Sequence, residues 1–165
     1  MKDQPVVQFP EERLHEPSRR VTDFATEELR SLIETMVATM RKQRGIGLAA
    51  PQIGIWSQVA VIEMKDGPLV VINPDLTDVS KEKEDDEEGC LSVKGVYGVV
   101  RRAKRLALHA YDIDGVPFTL KASGLLARVI QHEYDHLQGV LFIDHCHELT
   151  SGTEKARELG LKIPS

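Results

Sequence analysis

The sequence predicts an α+β fold in which antiparallel β-sheets pack around a central helix, with an N-terminal helix and a short C-terminal helix. Apolar residues recur at helical spacing in two segments, short strand-like runs lie between them, and two of these runs flank a hairpin turn. At 165 residues the chain is long enough to bury a sizeable core. We expect one domain over residues 1–165.

The first predicted helix covers residues 23–43. Its apolar residues follow the i, i+3, i+4 pattern: Leu29, Leu32, Ile33, Met36, Val37 and Met40. Thr22 or Asp23 is expected to cap its start and Gly45 to end it. The next segment, 45–54, contains three glycines and a proline. It is predicted to be a backbone-exposed loop or an irregular strand.

The middle of the chain is predicted to be mainly β-structure. Strand-like runs cover residues 58–64, 69–73, 97–100, 106–112 and 117–122. The last two flank the sequence Asp-Ile-Asp-Gly, a strong hairpin signal. The charge run at 81–88 is predicted to be a solvated loop.

A second helix, from Leu125 to Gln138, is predicted to be the buried central one because it is apolar on most of its turns. Ser123 can cap its start, and Gly139 follows its end. Residues 140–144 are predicted to form a short strand, and the charged segment 153–159 a C-terminal helix.

Composition and charge restrict the classes of function. A net charge of -5 offers no basic field for direct nucleic-acid binding. No apolar run approaches the roughly 20 residues that span a bilayer, so no membrane partner is expected. The N-terminus lacks the apolar stretch of a secretory signal. A cytoplasmic location is therefore expected.

The central helix carries the pattern His-Glu-x-x-His. His132 and His136 lie four residues apart and so share one helix face, where both can bind one metal ion. Glu133 is then free to act on a water bound to that metal. The apolar helix around them favours a metal, because unpaired polar groups are costly to bury.

A catalytic site of this kind needs a third protein ligand, and the sequence leaves alternatives. A downstream histidine is excluded because Phe142 occupies its position. Glu154 or Glu158 would complete a metallopeptidase, whereas Cys90, beside the flexible Gly89, would complete a Cys-His-His hydrolytic centre. The cluster at 145–147 is interpreted as a loop, since adjacent residues do not converge on one ion without a special turn.

Three motifs in this order resemble those of the peptide deformylase family: Gly-Ile-Gly-Leu-Ala-Ala-Pro-Gln at 45–52, Glu-Gly-Cys-Leu-Ser at 88–92 and Gln-His-Glu-Tyr-Asp-His at 131–136. The resemblance implies a mixed α+β fold and hydrolysis of the formyl group from N-formylmethionyl nascent peptides, with release of formate. It also implies one divalent metal ion, Fe²⁺ in the usual family member, which Zn²⁺, Ni²⁺ or Co²⁺ can replace.

The resemblance also implies roles for single residues. Cys90, His132 and His136 would bind the metal, and Glu133 would be the general acid/base. Gln52, through its side chain, and Leu91, through its backbone N–H, would donate to the formyl oxygen. Ile46, Gly47 and Gly89 would hold the substrate backbone as an added strand. Leu125 and Val129 would line the pocket that receives the methionine side chain.

The chain departs from the family pattern at Lys94 and Arg101, where prolines are usual. The lost prolines predict a freer loop there, and the added positive charge suggests a preference for acidic peptides. The family often ends in a basic helix that docks at the ribosome. Residues 153–159 mix both signs of charge, so at most a transient ribosome contact is expected. A catalytically silent homologue is the remaining alternative.

Overall fold

The computed structural model describes residues 2–165, in which two antiparallel sheets flank a central helix. The eight strands, in chain order, are β1 (Gly47–Ala49), β2 (Val59–Ile62), β3 (Leu69–Thr77), β4 (Lys83–Cys90), β5 (Val93–Ala103), β6 (Arg105–Tyr111), β7 (Pro117–Ser123) and β8 (Glu148–Ser151). One sheet has the order β1-β2-β3-β6-β7, the other β4-β5-β8. Thus β1 and β4 are both edge strands.

Three helices complete the fold: α1 (Glu27–Lys42), α2 (Gly124–Leu137) and α3 (Thr153–Glu158). Helix α2 packs Ala127, Ile130 and Leu137 into a core shared with β2, β3, β6 and β7. Helix α1 covers the β1–β2 end of the same sheet through Ile33, Met36 and Met40. The predicted α+β class with a central histidine-bearing helix is confirmed.

Helix α1 begins later than predicted. Thr26 is its cap: the Leu29 N–H donates to the Thr26 hydroxyl at 3.1 Å. Thr22 and Asp23 are not the cap, because Ala25 adopts a φ of 57° that a right-handed helix cannot include. The helix also ends before Gly45, since Arg44 already has a φ of 56°.

Helix α2 matches its predicted span to within one residue at either end. Ser123 precedes it, but its side chain makes no capping hydrogen bond. Instead Ser123 is the extended last residue of β7, and Gly124, with a φ of 58°, turns the chain into the helix.

The charge run at 81–88 is not the solvated loop that its composition predicts, because most of it forms β4. Strand β4 pairs with β5, which is much longer than the predicted 97–100. Two cross-strand ion pairs, Asp85 with Arg101 and Glu88 with Arg102, offset two of the negative charges of the run. The predicted freer loop around residues 94–101 is therefore a strand.

The predicted strand at 140–144 is also wrong. Phe142–Asp144 form a 3₁₀ turn, because the Asp144 carboxylate accepts from the Leu141 N–H at 2.8 Å. The turn buries Phe142 and Ile143 in the core under the second sheet. Segment 45–54 divides into β1 and a 3₁₀ turn over Ala50–Ile53.

None of the helices within residues 2–165 combines the length and the apolar character that a membrane crossing would need.

Candidate metal centre and active site

The structure brings Cys90, His132 and His136 together although they lie on different elements. Cys90 is the last residue of the edge strand β4, and both histidines project from α2. One ligand atom from each lies within 4.8 Å of the other two. Across residues 2–165 this is the one group of three or more metal-capable side chains.

The spacing of these atoms fits one metal ion. The His132 and His136 Nε2 atoms are 3.2 Å apart, and the Cys90 Sγ is 3.3 Å from the His136 Nε2. In a tetrahedral site with ordinary metal–ligand bonds, two nitrogens are about 3.3 Å apart and a nitrogen and a sulfur about 3.5 Å. The three donors therefore already have about the separations that a bound ion imposes. A thiolate with two imidazoles suits Fe²⁺, Zn²⁺, Co²⁺ or Ni²⁺.

Glu88 determines which nitrogen of His132 faces the metal. Its Oε1 lies 2.8 Å from the His132 Nδ1. When Nδ1 donates its proton to this carboxylate, Nε2 keeps a free lone pair directed at the site. Glu88 and Cys90 are two residues apart on β4, so they share one face of the strand.

Glu88 is itself held in a buried charge network. The Arg102 guanidinium donates to both of its oxygens, and the Arg128 Nη1 donates to Oε2 at 2.7 Å. Burial alone would raise the pKa of Glu88, but the hydrogen bonds from His132 and Arg102 hold this pKa well below its ordinary value. The Arg102 guanidinium also binds Asp135, so this side chain supports the network rather than the metal directly.

Glu133 is the unpartnered acidic group of the site. Its side chain is buried, and its Oε2 has no hydrogen-bond partner among residues 2–165. Burial raises the pKa of Glu133 to about 7. A carboxylate with a free oxygen and a pKa near neutrality is suited to accept and return a proton.

Gly47 makes room for this carboxylate. A β-carbon at position 47 would overlap the Glu133 Oε1 atom and crowd the carbon that bears it. Position 47 therefore has to be glycine if Glu133 keeps its place beside the metal ligands. Glycine is also favoured at position 89, because a β-carbon there would lie 2.5 Å from the Tyr97 ring.

Gln52 is fixed in one orientation. Its Oε1 accepts from the Ala49 N–H at 2.9 Å, and its Nε2 donates to the Ser92 hydroxyl at 3.1 Å. The same Nε2 is 3.5 Å from the Cys90 Sγ. The amide N–H₂ group thus points toward the metal centre from a side chain that is 1% exposed.

A cavity of about 450 Å³ opens over these groups. All the residues predicted to hold substrate line it: Ile46, Gly47, Gly89, Leu125 and Val129. Gln52, Cys90, Leu91, His132 and Glu133 line it too. Leu125 is 65% exposed and Val129 only 8%, so one apolar wall runs from the rim down to the metal ligands.

Several sequence candidates lie elsewhere. Glu154 and Glu158 lie on the exposed face of helix α3 and do not join the histidines, which removes the metallopeptidase arrangement. The thiol of Cys146 donates to the Glu148 carbonyl, as expected for a structural loop. Arg101 binds Asp85 and does not line the cavity. Its predicted effect on substrates therefore has no support in the geometry.

Sequence reasoning missed Glu88, Arg128 and Ser92. Two signals could have revealed the first two: Glu88 lies two residues before Cys90 on a strand, and Arg128 lies four residues before His132 on a helix. Both spacings place the charged side chain on the same face of its strand or helix as a metal ligand. No local signal points to Ser92, whose contact with Gln52 joins residues 40 apart in the chain.

Comparison with known proteins gives consistent matches. A family model described as polypeptide deformylase matches residues 3–151. A peptide deformylase from Chromohalobacter salexigens is 45% identical over 147 residues, which are 87% of this chain and 86% of that relative. Peptide deformylase 1 of Clostridium perfringens is 44% identical over 141 residues, 84% of this chain and 95% of that relative.

Solved structures agree with the sequence matches. The crystal structure of a peptide deformylase from Synechococcus elongatus in complex with actinonin matches with a TM-score of 0.88 at 39% identity, covering 99% of this chain and 94% of that one. A peptide deformylase from Thermotoga maritima matches with a TM-score of 0.86 at 37% identity, covering 90% and 100%. The similarity therefore extends across sequence and fold together.

Proposed function

The chain belongs to the polypeptide deformylase family, and from that premise we propose how its own residues release formate from N-formylmethionyl peptides. It is a metal-dependent peptide deformylase that acts on nascent peptides. The observation that carries the proposed mechanism is the unpartnered carboxylate of Glu133 beside the Cys90, His132 and His136 donors at the base of the cavity.

The peptide is proposed to bind as an added strand on the free edge of β1. The Ile46 carbonyl accepts from the Glu63 N–H within the sheet, whereas the Ala49 N–H turns away from β2 to the Gln52 side chain. Because hydrogen-bonding direction alternates along a strand, the Gly47 N–H and C=O also face away from β2, toward the cavity. Gly47 can therefore pair with a substrate backbone, and Gly89 allows a similar approach from β4.

The methionine side chain is proposed to lie against Leu125 and Val129. These residues form an apolar wall one to two turns before His132 on α2. A flexible thioether side chain fills such a partly open apolar pocket well. The formyl group is then directed at the metal centre, between Gln52 and Glu133.

Proton transfer is assigned to Glu133. A divalent cation bound by Cys90, His132 and His136 would supply Lewis-acid stabilisation and lower the pKa of a coordinated water toward neutrality. The free oxygen of Glu133 takes the proton of the attacking water, whose oxygen forms a bond to the formyl carbon. When the C–N bond breaks, Glu133 returns the proton to the departing amine and formate is left.

The developing negative charge on the formyl oxygen is met by two donors. The Gln52 amide already points toward the centre, and the Leu91 backbone N–H is the second proposed donor. One pre-oriented donor of this kind contributes roughly 3–4 kcal/mol to transition-state stabilisation. Ser92 and the Ala49 N–H keep the Gln52 amide in place, so no reorientation is needed during the reaction.

We propose that the metal is Fe²⁺. A thiolate and two imidazoles are softer ligands than oxygen atoms, and they suit transition metals of this kind. Zn²⁺, Ni²⁺ and Co²⁺ are expected substitutes. We place the enzyme in the cytoplasm, with nascent chains as its partners. Helix α3 carries the exposed ion pair Lys155–Glu158 and no uniformly basic face, so any ribosome contact is proposed to be transient.

The test is formate release from formyl-Met-Ala-Ser by protein prepared without oxygen or reconstituted with Ni²⁺. We expect turnover by the parent and a loss of at least about 100-fold in kcat for Glu133→Gln, with metal content unchanged. Gln52→Ala should lose roughly 100- to 1000-fold. Full activity of Glu133→Gln, or no activity from metal-loaded parent protein, would overturn the mechanism.

A further inference from the structure

Two cations line the cavity without a partner of opposite charge. Arg44 and Lys94 are both exposed and both belong to the cavity wall. Neither forms an ion pair with any group in residues 2–165, although cations close to them in the chain do. Those paired cations are Arg41 with Glu63, Lys42 with Asp3 and Arg101 with Asp85. The two free charges therefore face the space that a peptide would occupy.

The backbone fixes where Arg44 lies. After α1 ends, the Arg44 N–H donates to the Arg41 carbonyl at 3.0 Å, and Arg44 takes a left-handed conformation. Such a helix end sets the direction in which the chain leaves. Three residues later the chain is at Gly47, the proposed pairing residue on β1. Residues 44–46 precede β1, and three residues span at most about 10 Å, so the Arg44 backbone lies within about 10 Å of Gly47.

A bulge fixes where Lys94 lies. Gly89 pairs with Tyr97 and Cys90 pairs with Val93, so residues 94–96 of β5 have no partner on β4. Within this bulge Val96 is buried in the core while Lys94 and Gly95 are exposed. The bulge thus directs Lys94 away from the core and onto the cavity wall.

The anionic groups around the cavity leave an excess of positive charge at its rim. Glu88 is neutralised by its contacts with Arg102 and Arg128 at the base of the cavity. Glu87 lines the rim, and its carboxylate accepts from the Thr150 hydroxyl. It is the one acidic group that competes with Arg44 and Lys94 there, because Glu133 lies deep beside the metal ligands.

We propose that Arg44 and Lys94 select peptides with an acidic side chain at the second or third residue, downstream of the formylmethionine. This inference rests on the proposed function, because the peptide must run along β1 with its formyl group at the metal centre. The two cations are solvent-exposed, so each contact contributes modestly and is weakened by salt.

The experiment compares C-terminally amidated tripeptides that differ in one side chain. The pairs are formyl-Met-Glu-Ala against formyl-Met-Lys-Ala, and formyl-Met-Ala-Glu against formyl-Met-Ala-Lys, with the Gln peptides as neutral references. At low ionic strength we expect kcat/KM to be about three- to tenfold higher for Glu than for Lys in at least one pair. The ratio should approach one at about 0.5 M salt.

Variants assign the effect to the two cations. In the double variant Arg44→Gln, Lys94→Gln the Glu-to-Lys ratio should fall to near one. The matched control Arg101→Gln removes one nearby exposed cation that is already paired, and it should keep the parent ratio. A parent that deformylates the Gln peptides but shows no Glu preference would overturn this inference alone. A preference that persists in the double variant would also overturn it, whereas no turnover of any peptide would overturn the proposed function.

Discussion

At the scale of single residues, the site depends on side chains that do not bind the metal themselves but hold the metal ligands in place. Glu88 is the clearest case. It accepts from two arginines and orients a metal ligand, yet it stands in a run of charged residues whose composition alone predicts exposure. Its carboxylate is bound by Arg102 and Arg128 on one side and by the His132 imidazole on the other, so the buried charges fix the position of His132.

Glu88→Gln is predicted to weaken metal binding. The amide can still accept a hydrogen bond but no longer balances two buried guanidinium groups or strengthens the basicity of His132. We expect metal affinity to fall by about 10- to 100-fold, measured by competition with a chelator. Asp86→Asn, which removes an exposed charge from the same strand, should leave that affinity unchanged. Equal affinity for the parent and the Glu88 variant would show that this carboxylate does not tune the ligand.

Gly47→Ala is predicted to lower catalysis more than stability. The new β-carbon would occupy the space of the Glu133 Oε1 and displace that carboxylate from its working position. Displacements of about 1 Å in an active site can cost roughly 100-fold in rate, so we expect kcat to fall by at least about tenfold.

The comparison variant for this change is Gly45→Ala. Its added β-carbon would meet the Leu91 Cδ1 at 2.8 Å, a flexible side-chain end that can move. It should cost less in kcat than Gly47→Ala. Unchanged steady-state kinetics for Gly47→Ala, with normal metal content, would contradict the proposed crowding.

At the scale of elements, the local patterns were the predictable part. The His-Glu-x-x-His spacing needs only a helix to be correct, and α2 is a helix over the whole motif. Strand β4 could not be predicted in this way, because the contacts of Asp85 with Arg101 and of Glu88 with Arg102 form only once β4 and β5 are paired. The pairing of Gln52 with Ser92 likewise depends on tertiary packing alone.

Arg128 joins three elements. From α2 it donates to the Glu88 carboxylate and the Glu84 carbonyl of β4 and to the Val100 carbonyl of β5. Together with the Arg102–Asp135 ion pair and the hydrogen bonds between Gln131 and Ala103, this guanidinium fixes α2 against the second sheet. These contacts keep His132 and His136 on α2 at a constant distance from Cys90 on β4.

Arg128→Ala is predicted to destabilise the fold by roughly 3–5 kcal/mol, because Glu88 would lose a buried counter-charge and two carbonyls a donor. Urea unfolding at neutral pH is the measurement. Arg105→Ala is the control, since its ion pair with Glu82 is exposed and should contribute less than about 1 kcal/mol. Similar losses for the two variants would show that burial of Arg128 does not matter.

At the scale of the whole molecule, the metal ligands come from both halves of the structure. Cys90 belongs to the edge of the three-stranded sheet, and the histidines to the helix packed on the five-stranded sheet. A bound ion therefore connects the two sheets across the cavity. Loss of the ion should therefore lower the stability of the whole fold.

Removal of the metal is predicted to lower Tm. A ligand present at about 1000 times its dissociation constant stabilises the folded state by roughly 4 kcal/mol, which is on the order of 10 °C for a chain of this size. Calorimetry of the metal-loaded protein before and after chelation measures the shift. Cys90→Ser should reduce it sharply, and a chelation-independent Tm would contradict the bridging role.

The free edge of β1 has a further consequence, for association between copies of the chain. Exposed strand edges can pair with any other edge and so promote aggregation. Strand β1 is only three residues long and passes at once into the 3₁₀ turn that contains Pro51, which cannot donate to a neighbouring strand. An edge this short offers too few hydrogen bonds to nucleate a growing sheet. The brevity of this proposed substrate-binding strand thus limits association of copies through the β1 edge.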